Sequence, residues 1–449
     1  MSALPSDPSK AVSRAGRPDR SEADVRDVPT REQLLHLLAE ASELEHNLLC
    51  SYLFALFSLK ADDAPDLMVD ERASVRRWRA ALLGVCVEEM LHFAQVANLS
   101  AAIGAHPHFN RPNLPVAAGY HPAAVVVELT RFDLDTLQHF IHLERPEGLD
   151  VPDGASFTPA VAYRRASHPG ALMPAAPDYR TIGEFYGELR NKIAAFCAAR
   201  GERALFIGAK ELQMRPEEVK SPSLHVVVDL ASATSAIDEI VRQGEGAPGE
   251  AAESHFAQFI AIQKEYSAHL AARPDFAPSH AVGRNPVMRF PVAPGRTHVT
   301  HPAAFQLLDA GNAIYGFMLR CLGACYQTPW QEAAAREGTL RAAFLSMRAL
   351  SIVGSELARL PASQADDAGR RAGLSFAMMR SAESLEAASM RHVLRERASE
   401  LVDHVCALPL DSRQRERLRL ALDAVSQAIG APAADEPAVP AASALASAR

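Results

Sequence analysis

LLGVCVEEMLHFAQVANLSAAIG, residues 82–104, is the stretch that decides the fold. Its inward positions step three and four at a time through Leu82, Val85, Glu89, His92, Val96 and Leu99, which is one face of an α-helix. A helix from about Ser74 to Ile103 is expected, ending before Gly104, a natural residue for the chain reversal beyond a helix. Its core stripe carries an acid and an imidazole. A buried charge is costly unless something pairs with it. Three residues apart, Glu89 and His92 leave the same face of the helix. A carboxylate and a neutral imidazole converging on one point suit a divalent iron or manganese ion.

The preceding helix repeats the anomaly. Thr30 is its expected cap, with Gln33 as capping-box partner, and the helix runs to about Leu59. Its stripe is Leu34, Leu38, Ala41, Glu45, Leu48, Tyr52 and Ala55, so Glu45 also sits at core depth. The ferritin-like di-metal bundle has this form, a Glu from each of two helices and a Glu-x-x-His from each of two others. Glu88 and His46 lie about 100° off the stripes and read as groups behind the ligands or at the surface. A third helix, from Tyr179–Thr181 through Phe196, offers Glu184, with Glu188 one turn on in reserve. The fourth, from about Ala231, breaks at Gly244-Glu245-Gly246 and resumes from about Glu250 to His269. His255 has Ala252 three residues before it, so Glu-x-x-His is missing there. If the intervening loop folds outward, Glu245 and His255 meet at the metal. The candidate metal set is therefore Glu45, Glu89, His92, Glu184, Glu245 and His255.

The predicted architecture is mainly α: a ferritin-like four-helix bundle over residues 30–272, with a long insert after its second helix and a second, C-terminal helical region. The insert, about His106 to Asp178, holds a β-like run (Ala123–Thr130) and an amphipathic piece (Asp133–Leu143), and reads as a lid or a cross-packed segment. A strand-like run covers Leu224–Val228. After a Pro-rich link, 273–302, helices are expected over Ala303–Tyr326, Gln331–Leu360 and Ala372–Ile429, with no cluster of ligands. Residues 1–29 and 430–449 have the composition of disordered tails.

Across 449 residues, 48% are hydrophobic and 22% charged, and the net charge is −8, which argues for a globular protein and against nucleic acid as a partner. No uninterrupted apolar run of roughly 18 residues is present, so no membrane partner is expected. Residues 1–29 show no apolar core of a secretory signal, and a cytoplasmic location is expected. The six cysteines are scattered and read as core thiols, not as a disulfide framework. Oligomeric state is not legible.

At the level of whole motifs the chain resembles the ferritin-like domain of the iminophenyl-pyruvate dimer synthases, the tryptophan-coupling enzymes of violacein and rebeccamycin biosynthesis. LEHNLLCSYLFALFSL (within Glu32–Leu59) and EEMLHFAQVANLSAAIGAHP (Glu88–Pro107) are similar to its first two helices. HFIHLERPEG (His139–Gly148), TIGEFYGELR (Thr181–Arg190), IVRQGEG (Ile240–Gly246) and SHFAQF (Ser254–Phe259) follow in the family's order. EEMLH alone is common among ferritin-like proteins; ERPEG, TIGEFY, QGEG and SHF together are more specific. The resemblance covers about residues 30–270, on a chain much shorter than those enzymes. It implies a non-haem iron site of one or two ions, with manganese as the alternative metal, and supports the six ligand positions by motif. It further implies a specialised-metabolism oxidoreductase that takes O₂ or peroxide and an amino-acid-derived imine or aromatic intermediate, with oxidative coupling as the reaction. Arg145 is a candidate for a substrate carboxylate, against a plain helix-terminus role. The competing readings are an iron-binding or storage protein without an organic substrate, and a scaffold.

Overall fold

The computed structural model describes residues 28–430 except 63, 118, 122–124, 159–173, 175–177, 245–252, 365–368 and 381–386. Most of both expected tails, and Glu245, therefore lie outside the described residues.

Helix α1 (Arg31–Ser58) starts at its expected cap: the Gln33 N–H donates to Thr30 Oγ1 at 3.2 Å, and the Thr30 N–H donates to the Gln33 side chain at 2.8 Å. Helix α2 (Val69–Ala102) begins at Val69 rather than near Ser74, because Glu71 accepts from the Met68 N–H and closes an earlier first turn. Among the described residues, α2 alone is long and apolar enough to cross a membrane; half of that window is buried in the fold. Helix α3 (Leu134–Leu143) follows, capped by Asp133, then α4 (Ile182–Arg200), capped by Thr181. Two short turns, α5 (Glu202–Leu205) and α6 (Pro216–Val219), lead to α7 (Leu230–Gly244) and α8 (His255–Ala272). Helices α1 and α2 pack along each other, α4 lies on α7, α3 lies on α8, and both α7 and α8 touch α2.

The expected strand at Leu224–Val228 is extended but forms no strand. Side-chain amides take the place of a neighbouring strand. Gln95 bonds both the N–H and the carbonyl of His225, and Gln213 bonds both those of Val227. The described part of the β-like run makes a single bridge, Val127 to Val116.

The second half opens with a two-residue parallel pair, β1 (Pro286–Val287) and β2 (Thr297–His298). Helices α9 (Pro302–Cys325), α10 (Ala333–Leu357), α11 (Ala387–Cys406) and α12 (Ser412–Ile429) then pack together. The helix expected from Ala372 does not form there. Phe376 has φ +46°, outside helical space, and the Ala377 N–H donates to the Asn312 side chain instead of to its own chain. The halves meet where α10 crosses α1: a Cβ on Gly354 would lie 2.2 Å from Phe57 Cδ2, so only glycine permits this approach. Five cysteines are buried, Cys406 is exposed, and all six are free.

Candidate metal centre

Five ionisable side chains meet in the middle of the first half. Glu45 comes from α1, Glu89 and His92 from α2, Glu144 from the residue that ends α3, and His255 from the first turn of α8. None is more than 4% exposed. They form two groups with close ligand atoms: Glu45, Glu89 and His92, and Glu89, Glu144 and His255. Glu89 belongs to both.

The histidines are held in the tautomer that a metal needs. His92 Nε2 donates to Gln243 Oε1 at 2.8 Å, and Gln243 is itself oriented by donating its Nε2 to Glu239 at 2.9 Å. His255 Nε2 donates to Glu88 Oε2 at 2.8 Å. In the neutral ring each Nδ1 then carries the lone pair. His92 Nδ1 lies 3.5 Å from both Glu45 Oε2 and Glu89 Oε2. His255 Nδ1 lies 2.9 Å from Glu89 Oε1 and 3.7 Å from Glu144 Oε2. Buried, with no hydrogen-bond partner, are His255 Nδ1 and Glu89 Oε2. A lone pair facing carboxylate oxygens in a dry interior is repulsive unless a positive charge stands between them, a bound metal or, without one, a proton on the ring. Three carboxylates and two imidazoles are the donor types of the iron and manganese bundles, one carboxylate fewer than their four-Glu, two-His set. The residues fit the metal.

Electrostatics follow from the same crowding. Burial and the neighbouring Glu89 raise the Glu45 carboxyl to about 7. Burial also opposes charge on Glu89, but contacts with His255 and His92 outweigh it and hold Glu89 ionised far below the usual range. Burial lowers both histidines, yet Glu45 and Glu89 raise His92 to about 10, and Glu144, Glu88 and Glu89 raise His255. Two phenols complete the frame: Tyr186 donates to Glu45 Oε1 and Tyr52 to Glu144 Oε1. Burial and those carboxylates keep both phenols protonated.

A cavity of about 20 Å³ adjoins the cluster, bounded by Ile182 and Gly183 of α4 and by Ile240 and Gly244 of α7. Its size suits about one water molecule. A Cβ on Gly244 would lie 3.1 Å from Glu144 Oε2, so the end of α7 comes close to the ligands.

Of the six expected ligands, the structure brings together Glu45, Glu89, His92 and His255. Glu245 lies outside the described residues. Glu184 is placed elsewhere: it stands in the first turn of α4, where its carboxylate accepts from the Arg180 N–H at 2.8 Å. Thr181 and Glu184 read as T-x-x-E, a helix-start signature, and that use turns Tyr186 rather than Glu184 toward the cluster. Glu188 pairs with Lys192 at 3.0 Å. Glu144 is the residue that sequence reasoning missed, and it sits in the insert that reads from sequence as a lid or a cross-packed segment. The signal was present: Leu137, Phe140 and Glu144 are i, i+3 and i+7, a core stripe with an acid in it. Arg145, its neighbour, donates to the carbonyls of His142 and Arg180, tying the end of α3 to the start of α4.

A family model described as Ferritin-like matches residues 38–264, a span that contains all five clustered residues. The chain belongs to the ferritin-like family. Within it, dichlorochromopyrrolate synthase of Lentzea aerocolonigenes is 28% identical over 333 residues, covering 66% of this chain and 31% of that protein. The 2-imino-3-(indol-3-yl)propanoate dimerase of Chromobacterium violaceum is 26% identical over 367 residues, covering 77% of this chain and 34% of that protein. The chain thus spans about a third of the length of these curated relatives. A solved ferritin-like protein from Caulobacter vibrioides aligns with a TM-score of 0.49 at 19% identity, over 78% of this chain and 100% of that one.

Proposed function

We propose that this ferritin-like chain is a non-haem oxidoreductase that holds two iron ions and acts on a small amino-acid-derived imine or aromatic intermediate, with oxidative coupling as its reaction. The observation that carries the reading is Glu89, a buried carboxylate shared between a Glu45/His92 pair and a Glu144/His255 pair. Sharing one acid between two Glu/His pairs suits two ions side by side. The names of the relatives, a dichlorochromopyrrolate synthase and a dimerase of a 2-imino-3-(indol-3-yl)propanoate, support the substrate class.

Iron bound there supplies redox and Lewis-acid chemistry. The chain's own residues do the rest. Glu88 and Gln243 fix the two imidazole rings from behind, and Tyr52 and Tyr186 hold one oxygen of Glu144 and Glu45 so that the other faces inward. The closely packed aromatic and aliphatic wall around them, Tyr52 against Phe140 and Phe259, excludes bulk water. The small cavity between the start of α4 and the end of α7 is the approach for O₂ or peroxide.

The test is metal content, with iron supplied, for the wild type and a Glu89→Ala/His92→Ala chain. The expected result is close to two irons per wild-type chain and none in the folded variant, together with substrate-dependent O₂ uptake by the wild type alone. Equal iron in both chains would sink the assignment of the site. Iron uptake far beyond two ions with no organic substrate used would favour storage instead.

A further inference from the structure

A second cavity, of about 220 Å³, lies between the two halves and touches none of the metal-centre residues. One wall is a face of α9. Gly316, Leu319, Arg320 and Gly323 fall at i, i+3, i+4 and i+7 on that face. Each interior glycine costs a helix roughly 0.5–1 kcal/mol relative to alanine; here Gly316 makes room for Met379, whose Cε would lie 2.3 Å from a Cβ, and Gly323 makes room in the cavity itself. A Cβ on Gly323 would meet only Phe109, at 3.8 Å. Phe109, Met378, Met379 and Met390 supply apolar wall, and His106, His108, Asn110 and Gln327 supply polar wall. Thioethers are soft and adaptable and pack well on aromatic rings.

The charge of the cavity is one-sided. Arg320 and Arg380 line it and form no ion pair among the described residues. Behind Tyr315, which also lines it, lies a third guanidinium. Arg111 is 5% exposed and donates to Tyr315 Oη at 3.1 Å, to Cys50 Sγ at 3.6 Å and to the Phe376 carbonyl, with no carboxylate partner among the described residues. Its Nε is buried without a hydrogen bond. Arg111 also donates to the Pro112 carbonyl at 2.9 Å, but a buried cation lacking an acid is expensive, and in a chain of net charge −8 such a gathering of arginines without an ion pair among the described residues is a field prepared for an anion.

We propose that this cavity binds a small aromatic carboxylate, its ring among Phe109 and the three methionines and its carboxylate toward Arg320 and Arg380. The proposal does not rest on the metal reading. Glu45 and His46 leave α1 in different directions, Glu45 into the ligand cluster and His46 to the Tyr315 hydroxyl, so the two sites lie on different sides of one helix.

Phenylacetate and phenylacetamide, titrated calorimetrically into the full metal-loaded chain, test it. Phenylacetate should bind, and the amide should bind about tenfold more weakly for want of charge-assisted bonds. Gly323→Leu should abolish binding by filling the cavity, while metal content stays at the wild-type level. Arg320→Gln/Arg380→Gln should weaken phenylacetate by about tenfold or more, and decides the matter alone if Gly323→Leu does not fold. Glu89→Ala should bind phenylacetate as the wild type does. The proposal is overturned by absence of phenylacetate binding, by equal affinity for acid and amide, or by binding that survives Gly323→Leu and is lost in Glu89→Ala, which would put the carboxylate on the metal.

Discussion

The two halves of the chain treat buried charge in opposite ways. In the second half, Arg336 is 1% exposed yet wholly engaged. Its Nε and one amino group bond the two oxygens of Glu218 at 2.6 and 3.3 Å, and its remaining N–H groups reach the carbonyls of Cys325, Thr328 and Gln213. In the first half, five buried groups face one another with a Glu89 oxygen and a His255 nitrogen left unbonded. A satisfied buried charge is architecture; unsatisfied ones aimed at a common point are a binding site. Arg336 clamps α10 to the segment around α6. The outer atoms of the Glu/His cluster are bonded to Tyr52, Tyr186, Gln243 and Glu88, but its inward Glu89 Oε2 and His255 Nδ1 bond nothing until a cation arrives.

The largest expected effect tests the architectural side. Arg336→Ala leaves Glu218 with Arg215 as its remaining partner and deprives the carbonyls of Cys325, Thr328 and Gln213 of their donor, and should cost about 3 kcal/mol in chemical denaturation, with iron content per folded chain unchanged. Loss of iron in step with loss of stability would merge the two regions into one unit and break the comparison. A smaller effect tests the other side. Glu88→Gln keeps an acceptor for His255 Nε2 but removes its charge, and metal affinity should fall about tenfold or more, read by competition with a chromophoric chelator. Glu88 is partly exposed, so the melting point of the metal-free chain should scarcely move. A fall in melting point without a fall in affinity would make Glu88 a structural partner only.

What the sequence disclosed follows this division. Glu45, Glu89 and His92 were legible because each interrupts a long apolar stripe, and such an interruption has few physical excuses. His255 was legible from the resemblance more than from its helix, since it stands in the first turn with no acid three residues before it. Glu144 was hidden by scale: α3 is ten residues long and sits inside an insert that composition marks as irregular. Glu184 misled because a first-turn acid serves the helix start before it serves the core. The four long helices α1, α2, α9 and α10 were legible from period, whereas 224–228 and 372–380 were not, because side chains of Gln95, Gln213 and Asn312 settle those backbones from far away in sequence.

The seam between the halves supplies the finest test, through pH. His280 is half-buried, and burial lowers its pKa to about 4, helped by the cations Lys60, Arg359 and Arg371 and opposed by Asp66. Unfolded, the ring titrates near 6.5. The folded chain therefore binds fewer protons than the unfolded chain between those values. The stability that His280 contributes is fully present above pH of about 6.5 and is lost as pH falls toward 4. The metal-free cluster responds in the other direction: with Glu45 and His92 both raised, acidification over the neutral range favours their folded, protonated forms. Net melting curves would mix the two, so the measurement is a difference. His280→Gln and the wild type, both metal-free, are denatured at pH 7 and pH 5; the wild type should lose more stability between them than the variant does. The direction is set first by burial and then by the three cations around the ring, which sit on both sides of the junction. An identical loss in the two chains would remove the seam from the acid response and leave the ionisable groups of the two halves to account for it.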